Sequence, residues 1–255
     1  MRATVTLILC VFVLSGISQQ QKKSSEDIKL YYRSTYSGGV SLHSHGYSAN
    51  FRYGKYTSGF SQTIFSAELA NMKHPKEYKS FNPYFEDARG YFYGKQHSMT
   101  VLRTLWMQQR VINGKELKKG VAVSYLYGLG PSFGLMKPIY LEIAYSSADN
   151  QPTPVATSYD YIENEVFDPE KHNPDNIFGR APFTRGLTEI GLLLGGHVKF
   201  ALNFEYAPED NMLRALEVGA NLDVYGREAP IMATAENNQL FLTFYVSLRF
   251  GQKEL

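Results

Sequence analysis

Apolar and polar residues alternate along most of this chain. In LFLTFYVSLRFG, residues 240–251, one parity holds Leu240, Leu242, Phe244, Val246, Leu248 and Phe250. The other parity starts with Phe241 and then carries Thr243, Tyr245, Ser247, Arg249 and Gly251. Side chains of a strand point alternately to its two faces, so one face is wholly apolar and the other mostly polar. Helical periodicity is scarce. The same alternation, punctuated by turn residues, predicts about ten strands, near 28–33, 39–44, 47–56, 62–73, 94–107, 120–127, 138–146, 188–206, 213–225 and 240–250.

Three further segments repeat the two-faced pattern. Leu216, Val218, Ala220, Leu222 and Val224 oppose Glu217, Gly219, Asn221, Asp223 and Tyr225. Leu194, Val198, Phe200, Leu202, Phe204 and Tyr206 alternate with His197, Lys199, Asn203 and Glu205, and Ile139, Leu141, Ile143 and Tyr145 with Tyr140, Glu142, Ala144 and Ser146. A half-buried strand of a soluble sandwich also reads this way. The strands are long, however, near the 9–11 residues that a tilted membrane strand requires. Aromatic residues Tyr53, Tyr127, Tyr145, Tyr206 and Phe250 sit on the apolar face near strand ends, as in the girdles of membrane barrels. The fold class expected is therefore all-β, an antiparallel up-and-down transmembrane β-barrel of about ten strands, with eight and twelve as the bounds. Segment 94–107 fits poorly, because Arg103 interrupts either face.

With ten strands, the connections at 45–46, 128–131 and 207–210 become short turns at the end that holds the termini. The stretches 108–119, 148–187 and 226–239 become long loops at the opposite end. The long segment 74–93 is an exception at the turn end.

The start, MRATVTLILCVFVLSGISQQQ, adds a compartment. Arg2, an apolar run to Leu14, and the small residues Gly16 and Ser18 two apart predict a secretory signal peptide over 1–18. Residues 19–255 then form a single outer-membrane barrel domain carrying the long 148–187 loop. The only cysteine, Cys10, lies in the leader, so disulfides, thiolate metal sites and a cysteine nucleophile are excluded from the exported part. A formal net charge of +2, without a dense Lys/Arg cluster among aromatics, excludes nucleic acid as an expected partner.

The inward face would hold Glu142, His197, Lys199, Glu205, Glu217, Asp223 and Arg249. A narrow barrel fills its interior with paired charges because unpaired buried charge is costly, and that reading is preferred over a binding or proton-handling cluster. Ser124, His197 and Glu142 could compose a hydrolytic set, but no GxSxG elbow accompanies them. Segment FDPEKHNPDN (167–176) offers Asp168, Glu170, His172 and Asp175 without the ordered spacing of a calcium loop. KHPKE (73–77) reads as a turn of alternating charge, and YGLGPSFG (127–134) as a tight turn. No catalytic, cofactor or metal residue is expected.

Three stretches, ELANMKHPKE (68–77), GPSFGLMKPIYLEI (130–143) and APIMATAENNQLFLTFYVSLRFG (229–251), resemble a group of outer-membrane β-barrel proteins of the Bacteroidota without assigned activity. The resemblance implies location and architecture, with membrane lipid and the barrel-assembly machinery as partners, and brings no catalytic residues. The residues GQKEL after Phe250 depart from barrels that finish on an aromatic. Barrels of eight strands are filled by side chains whereas open porins use 16–18. A non-enzymatic, monomeric barrel with a structural, docking or narrow-passage role is therefore expected, with no cofactor. A barrel hydrolase of lipid or peptide, and a soluble periplasmic binding protein, are the alternatives. A protein partner on either side of the membrane is left open.

Overall fold

The computed structural model describes residues 32–83, 88–114, 120–146, 151–152, 161–206 and 211–254. In chain order its strands are β1 (Ser34–His43), β2 (Gly46–Ser58), β3 (Ser61–Met72), β4 (Lys79–Ser80), β5 (Tyr91–Phe92), β6 (His97–Asn113) and β7 (Ala122–Pro138). They continue with β8 (Tyr140–Ser146), β9 (Gln151–Pro152), β10 (Tyr161–Val166), β11 (Ile177–Arg180), β12 (Gly191–Glu205), β13 (Met212–Tyr225) and β14 (Leu240–Glu254). Eight of them close a barrel in the order β1-β2-β3-β6-β7-β12-β13-β14, with β14 returning to pair antiparallel with β1. No helix among the described residues is long and apolar enough to cross a membrane.

The barrel has eight strands and not about ten. The expected strand at 28–33 falls almost wholly outside the described residues, as do the leader at 1–18 and the segment at 207–210. The expected strand at 138–146 exists as β8 but leaves the wall. It pairs with β9, β10 and β11 in a separate small sheet.

A closed wall of eight strands reverses the parity of several connections. The base of the barrel carries Ser34 and Glu254, the tight link between β2 and β3, and the strand ends Asn113, Ala122, Glu205 and Met212. The opposite end, the loop end, carries the turn at 44–45, the described residues between β3 and β6 and between β7 and β12, and the 226–239 connection. The 74–93 exception disappears, and residues 108–113 of the expected 108–119 loop are strand, inside β6. Residues 128–131 are no turn at all, because they lie inside β7. Gly130 and Pro131 continue the strand where no tight turn forms. Across from them the ladder between Arg103–Ser132 and Trp106–Leu129 skips the Pro131 position, which lacks an N–H.

Gly46 begins β2 with φ 148°, and a β-carbon there would collide with the Asn71 carbonyl oxygen, so the turn after His45 requires glycine.

The two faces of the wall are inverted relative to a soluble protein. On β14, Leu240, Leu242, Phe244, Val246, Leu248 and Phe250 are 45–64% exposed, while Thr243, Tyr245, Ser247 and Arg249 are at most 3% exposed. The outer face of β12 repeats this with Leu192, Leu194, Val198, Phe200 and Leu202, all exposed. Register places Tyr36, Tyr53, Phe65 and Trp106 side by side across β1, β2, β3 and β6, an aromatic row on the outer surface. Of the aromatic residues expected on that surface, Tyr127, Tyr206 and Phe250 are exposed and Tyr53 is half-buried, but Tyr145 is buried in the small sheet.

Candidate functional site

The lumen is layered. Along β3, Met72 and Ala70 near the loop end give way to Glu68, then Ile64, then Gln62 near the base. Along β6 the matching order is Met99 and Val101, Arg103, Leu105 and Met107, then Gln109. The top layer is a plug. Met72, Met99, Val101, Met136, Leu193, Tyr225 and Phe241 pack against Ala229, Ile231 and Met232 of the 226–239 segment. That segment is clamped by Asn237, whose Oδ1 accepts the N–H groups of Ile231 at 2.9 Å and Met232 at 3.1 Å. It is also stitched to the 94–97 stretch, where the Gln96 N–H donates to the Ile231 carbonyl at 2.9 Å. All three stretches that carry the family resemblance meet here, through Met72, Met136 and Ile231.

Beneath the plug lies a continuous charge network. Arg103 forks onto Asp223 (Nε to Oδ1 3.0 Å, a terminal nitrogen to Oδ2 2.7 Å) and also reaches Glu68 at 2.7 Å. Lys199 joins Glu68 at 2.9 Å and stands 4.4 Å above the Tyr245 ring. Arg52 grips Glu217 with two bonds of 2.6 and 2.8 Å, and the Tyr245 hydroxyl donates to Glu217 at 2.6 Å. Arg249 adds 3.3 Å to Glu217 and 2.7 Å to Ser37 Oγ. His197 Nδ1 lies 2.8 Å from Asp223, and the Ser132 hydroxyl donates to Asp223 at 3.2 Å. Four basic side chains thus enclose three carboxylates, every one of them at most 2% exposed. Each carboxylate meets at least two partners, which is the condition for tolerating ions in a dry interior.

Five of the seven inward residues expected from the sequence, His197, Lys199, Glu217, Asp223 and Arg249, meet in this network. Glu142 does not. It belongs to β8, outside the barrel, and binds Arg89 at 2.6 Å. Glu205 lies at the base, tied to Lys253 at 2.6 Å, apart from the cluster. Arg52, Glu68 and Arg103 were missed. The pattern around Arg103 was the available signal: Met99, Val101, Leu105 and Met107 share its parity and are buried, so between 99 and 107 the inner face of β6 is apolar except for one arginine. The outer face of that strand alternates Thr100 and Thr104 with Leu102 and Trp106, which blurred the contrast.

The hydrolytic set is not assembled. Ser124 accepts a bond from Gln109 at 2.8 Å and pairs in register with Asn203, six residues down β12 from His197, roughly 20 Å away. Glu142 is in the small sheet.

The small sheet has a core of its own, made by Tyr91, Leu141, Ile143, Tyr145, Phe167 and Ile177. His172, fully buried, is its polar anchor: Nδ1 accepts the Asp168 N–H at 2.9 Å and Nε2 lies 3.3 Å from Glu165. Burial depresses its pKa, with Glu165 pulling in the opposite direction. The acidic residues around it thus cap a turn, and among the described residues no group of three or more His, Cys, Asp or Glu is arranged to hold a metal. At 73–77 the turn expected from sequence is present, with the His74 N–H bonded to Glu77 at 3.0 Å and Lys95 closing on Glu77 at 2.5 Å.

No protein-family model matches this chain, and no curated protein matches it. Among solved structures it is similar to Ail, the attachment invasion locus protein of Yersinia pestis, in complex with the heparin analogue sucrose octasulfate, at 12% identity and a TM-score of 0.39, covering 86% of this chain and 97% of that one. It is also similar to Neisserial surface protein A, at 9% identity and a TM-score of 0.38, covering 86% of this chain and 95% of that one.

Proposed function

We propose that this chain is a small integral outer-membrane barrel whose sealed lumen conducts nothing and whose loop end is a folded platform for docking. The observation that carries the reading is the inversion of the wall, with ions and hydrogen-bonding groups inside and a mainly apolar surface outside. Soluble monomers rarely expose a contiguous apolar patch beyond a few hundred Å². Here it runs around the barrel, which suits hydrocarbon as the surrounding medium and argues against a soluble periplasmic binding protein. The predicted leader and the family resemblance agree with export to the outer membrane. The aromatic row of Tyr36, Tyr53, Phe65 and Trp106 fits the lipid boundary nearer the base.

The plug and the charge network favour a non-conducting barrel over narrow passage. Both would have to be dismantled to open a path. The extra sheet β8–β11 and the 226–239 segment concentrate folded surface at one end, which supports a docking role. Fractionation and gel mobility test the reading. The chain is expected in the outer-membrane pellet, migrating faster on SDS gels when unheated, and silent in planar bilayers. Recovery in the osmotic-shock fraction, or discrete conductance steps, would contradict it.

A further inference from the structure

Between β2 and β7 the outer wall is not uniformly bulky. Ala67 on β3 and Thr104 on β6 pair in register and floor an open groove of about 660 Å³. That volume falls within the ~300–1,000 Å³ of small-molecule sites. Phe51, Phe65, Trp106 and Leu129 wall the groove, all of them exposed.

Toward the base, the next outward pair is Phe65 with Trp106, and the pair beyond it is Thr63 with Gln108. The Gln108 amide donates to Thr63 Oγ1 at 2.9 Å. Lys55 stands directly across from Thr63 on β2, and Arg110 follows two residues after Gln108 on the same face of β6. Strand spacing and rise put the two backbones roughly 12 Å apart, a gap that a lysine and an arginine side chain bridge onto a common anion. Both are exposed, and neither has an acidic partner among the described residues. No described outward position on β2, β3, β6 or β7 holds a carboxylate. The outward Glu254 lies on β14, with Ser34 of β1 between it and Lys55.

A basic tier free of acids, just below an aromatic row and opening into an apolar groove, matches a phosphate head followed by a hydrocarbon chain. The groove is continuous with the surface that hydrocarbon bathes, which makes a membrane lipid its occupant. We infer that the groove over Ala67 and Thr104 seats one acyl chain of an anionic glycerophospholipid whose phosphate is held by Lys55 and Arg110. The inference rests on the membrane reading above and adds a selective lipid site to it.

Trp106 is the only tryptophan of the chain and lines the groove, so its fluorescence reports the occupant. The full chain is reconstituted into vesicles of mixed phosphatidylglycerol and phosphatidylcholine, with bromine on the acyl chains of one lipid at a time. Quenching of Trp106 should show a roughly 25-fold preference for phosphatidylglycerol, at about 1 kcal/mol for each basic group. Lys55→Gln or Arg110→Gln alone should leave roughly 5-fold, and the double variant none. Ala67→Leu fills the floor with both cations in place and should also lose the preference, because a head whose chain is not seated exchanges with the bulk. Arg214→Gln removes a base-end cation on β13, across the ring from β3, and should keep it.

Equal quenching by the two lipids in the wild type overturns the site, as does full preference in Ala67→Leu. Loss of preference in Arg214→Gln overturns it too, since the attraction would then be diffuse. So does quenching by neither lipid, which a second copy seated on the groove would cause. Flotation with the vesicles and heat-dependent gel mobility separate the two levels. A chain that never inserts fails the membrane reading, whereas one that inserts without lipid preference fails only this site.

Discussion

β14 and β8 carry the same alternation of apolar and polar residues and put it to opposite uses. On β14 the apolar row, Leu240 to Phe250, faces out of the molecule and the polar row is buried. On β8 the apolar row, Leu141, Ile143 and Tyr145, is buried against Phe167 and Ile177, and Glu142 on the other face is also buried, paired with Arg89. Alternation therefore shows that a strand has two faces, and says nothing of which medium meets each one. That is decided by what the rest of the chain can build. Eight strands closing on themselves enclose a narrow space that only polar, mutually bonded side chains and a few apolar fillers can occupy. A short sheet outside that cylinder makes an ordinary small core.

The contrast is broken most severely inside the wall. Glu217→Ala strands Arg52 and Arg249 in a dry interior, and removal of one member of a buried pair costs about 3–5 kcal/mol. Urea unfolding followed by gel mobility should show the barrel transition lowered by that amount. On the outer wall, Phe244→Arg should cost about 2–4 kcal/mol in lipid, with little effect expected if water bathes that face. Ile143→Ala in the small sheet should cost about 2–4 kcal/mol locally. Proteolysis of the loop end should quicken while the barrel band on unheated gels is unchanged.

The smallest effect is one of pH. The folded pKa of His172 lies below histidine's ordinary 6.5 because burial disfavours its charged form. Its contribution is complete above about 6.5 and is lost as acid protonates the ring, since the unfolded sheet takes up that proton more readily. Protonation of Nδ1 also removes the acceptor for the Asp168 N–H. Hydrogen exchange at 168–177 should therefore rise as pH falls from 7 to 5, with the wall unaffected. His172→Gln should abolish that dependence.

Much of the wall was readable from sequence because hydrocarbon outside and ions inside impose a clean two-residue period, as in β12, β13 and β14. Less was readable where one face mixes types. Arg103 made no sense on its own strand, because its partners Glu68 and Asp223 come from β3 and β13 and only barrel closure brings them together. Gly130 and Pro131 looked like a turn because local propensity favours one. β7 overrides it, since β6 and β12 pair on both sides. Strand number failed for a related reason: the 138–146 segment has a wall-like period, and only its neighbours β10 and β11 reveal that its apolar row has a private core. The count of strands then controlled which end each loop joined.

The medium around the wall can be read directly by placing a bimane-labelled cysteine at successive positions, Leu242→Cys through Leu248→Cys, in a Cys10→Ser background. Each variant is reconstituted into vesicles containing brominated lipid. The even positions 242, 244, 246 and 248 should be strongly quenched, and the odd positions 243, 245 and 247 protected. Uniform quenching by a water-soluble agent at the even positions, with none by the lipid, would contradict the account.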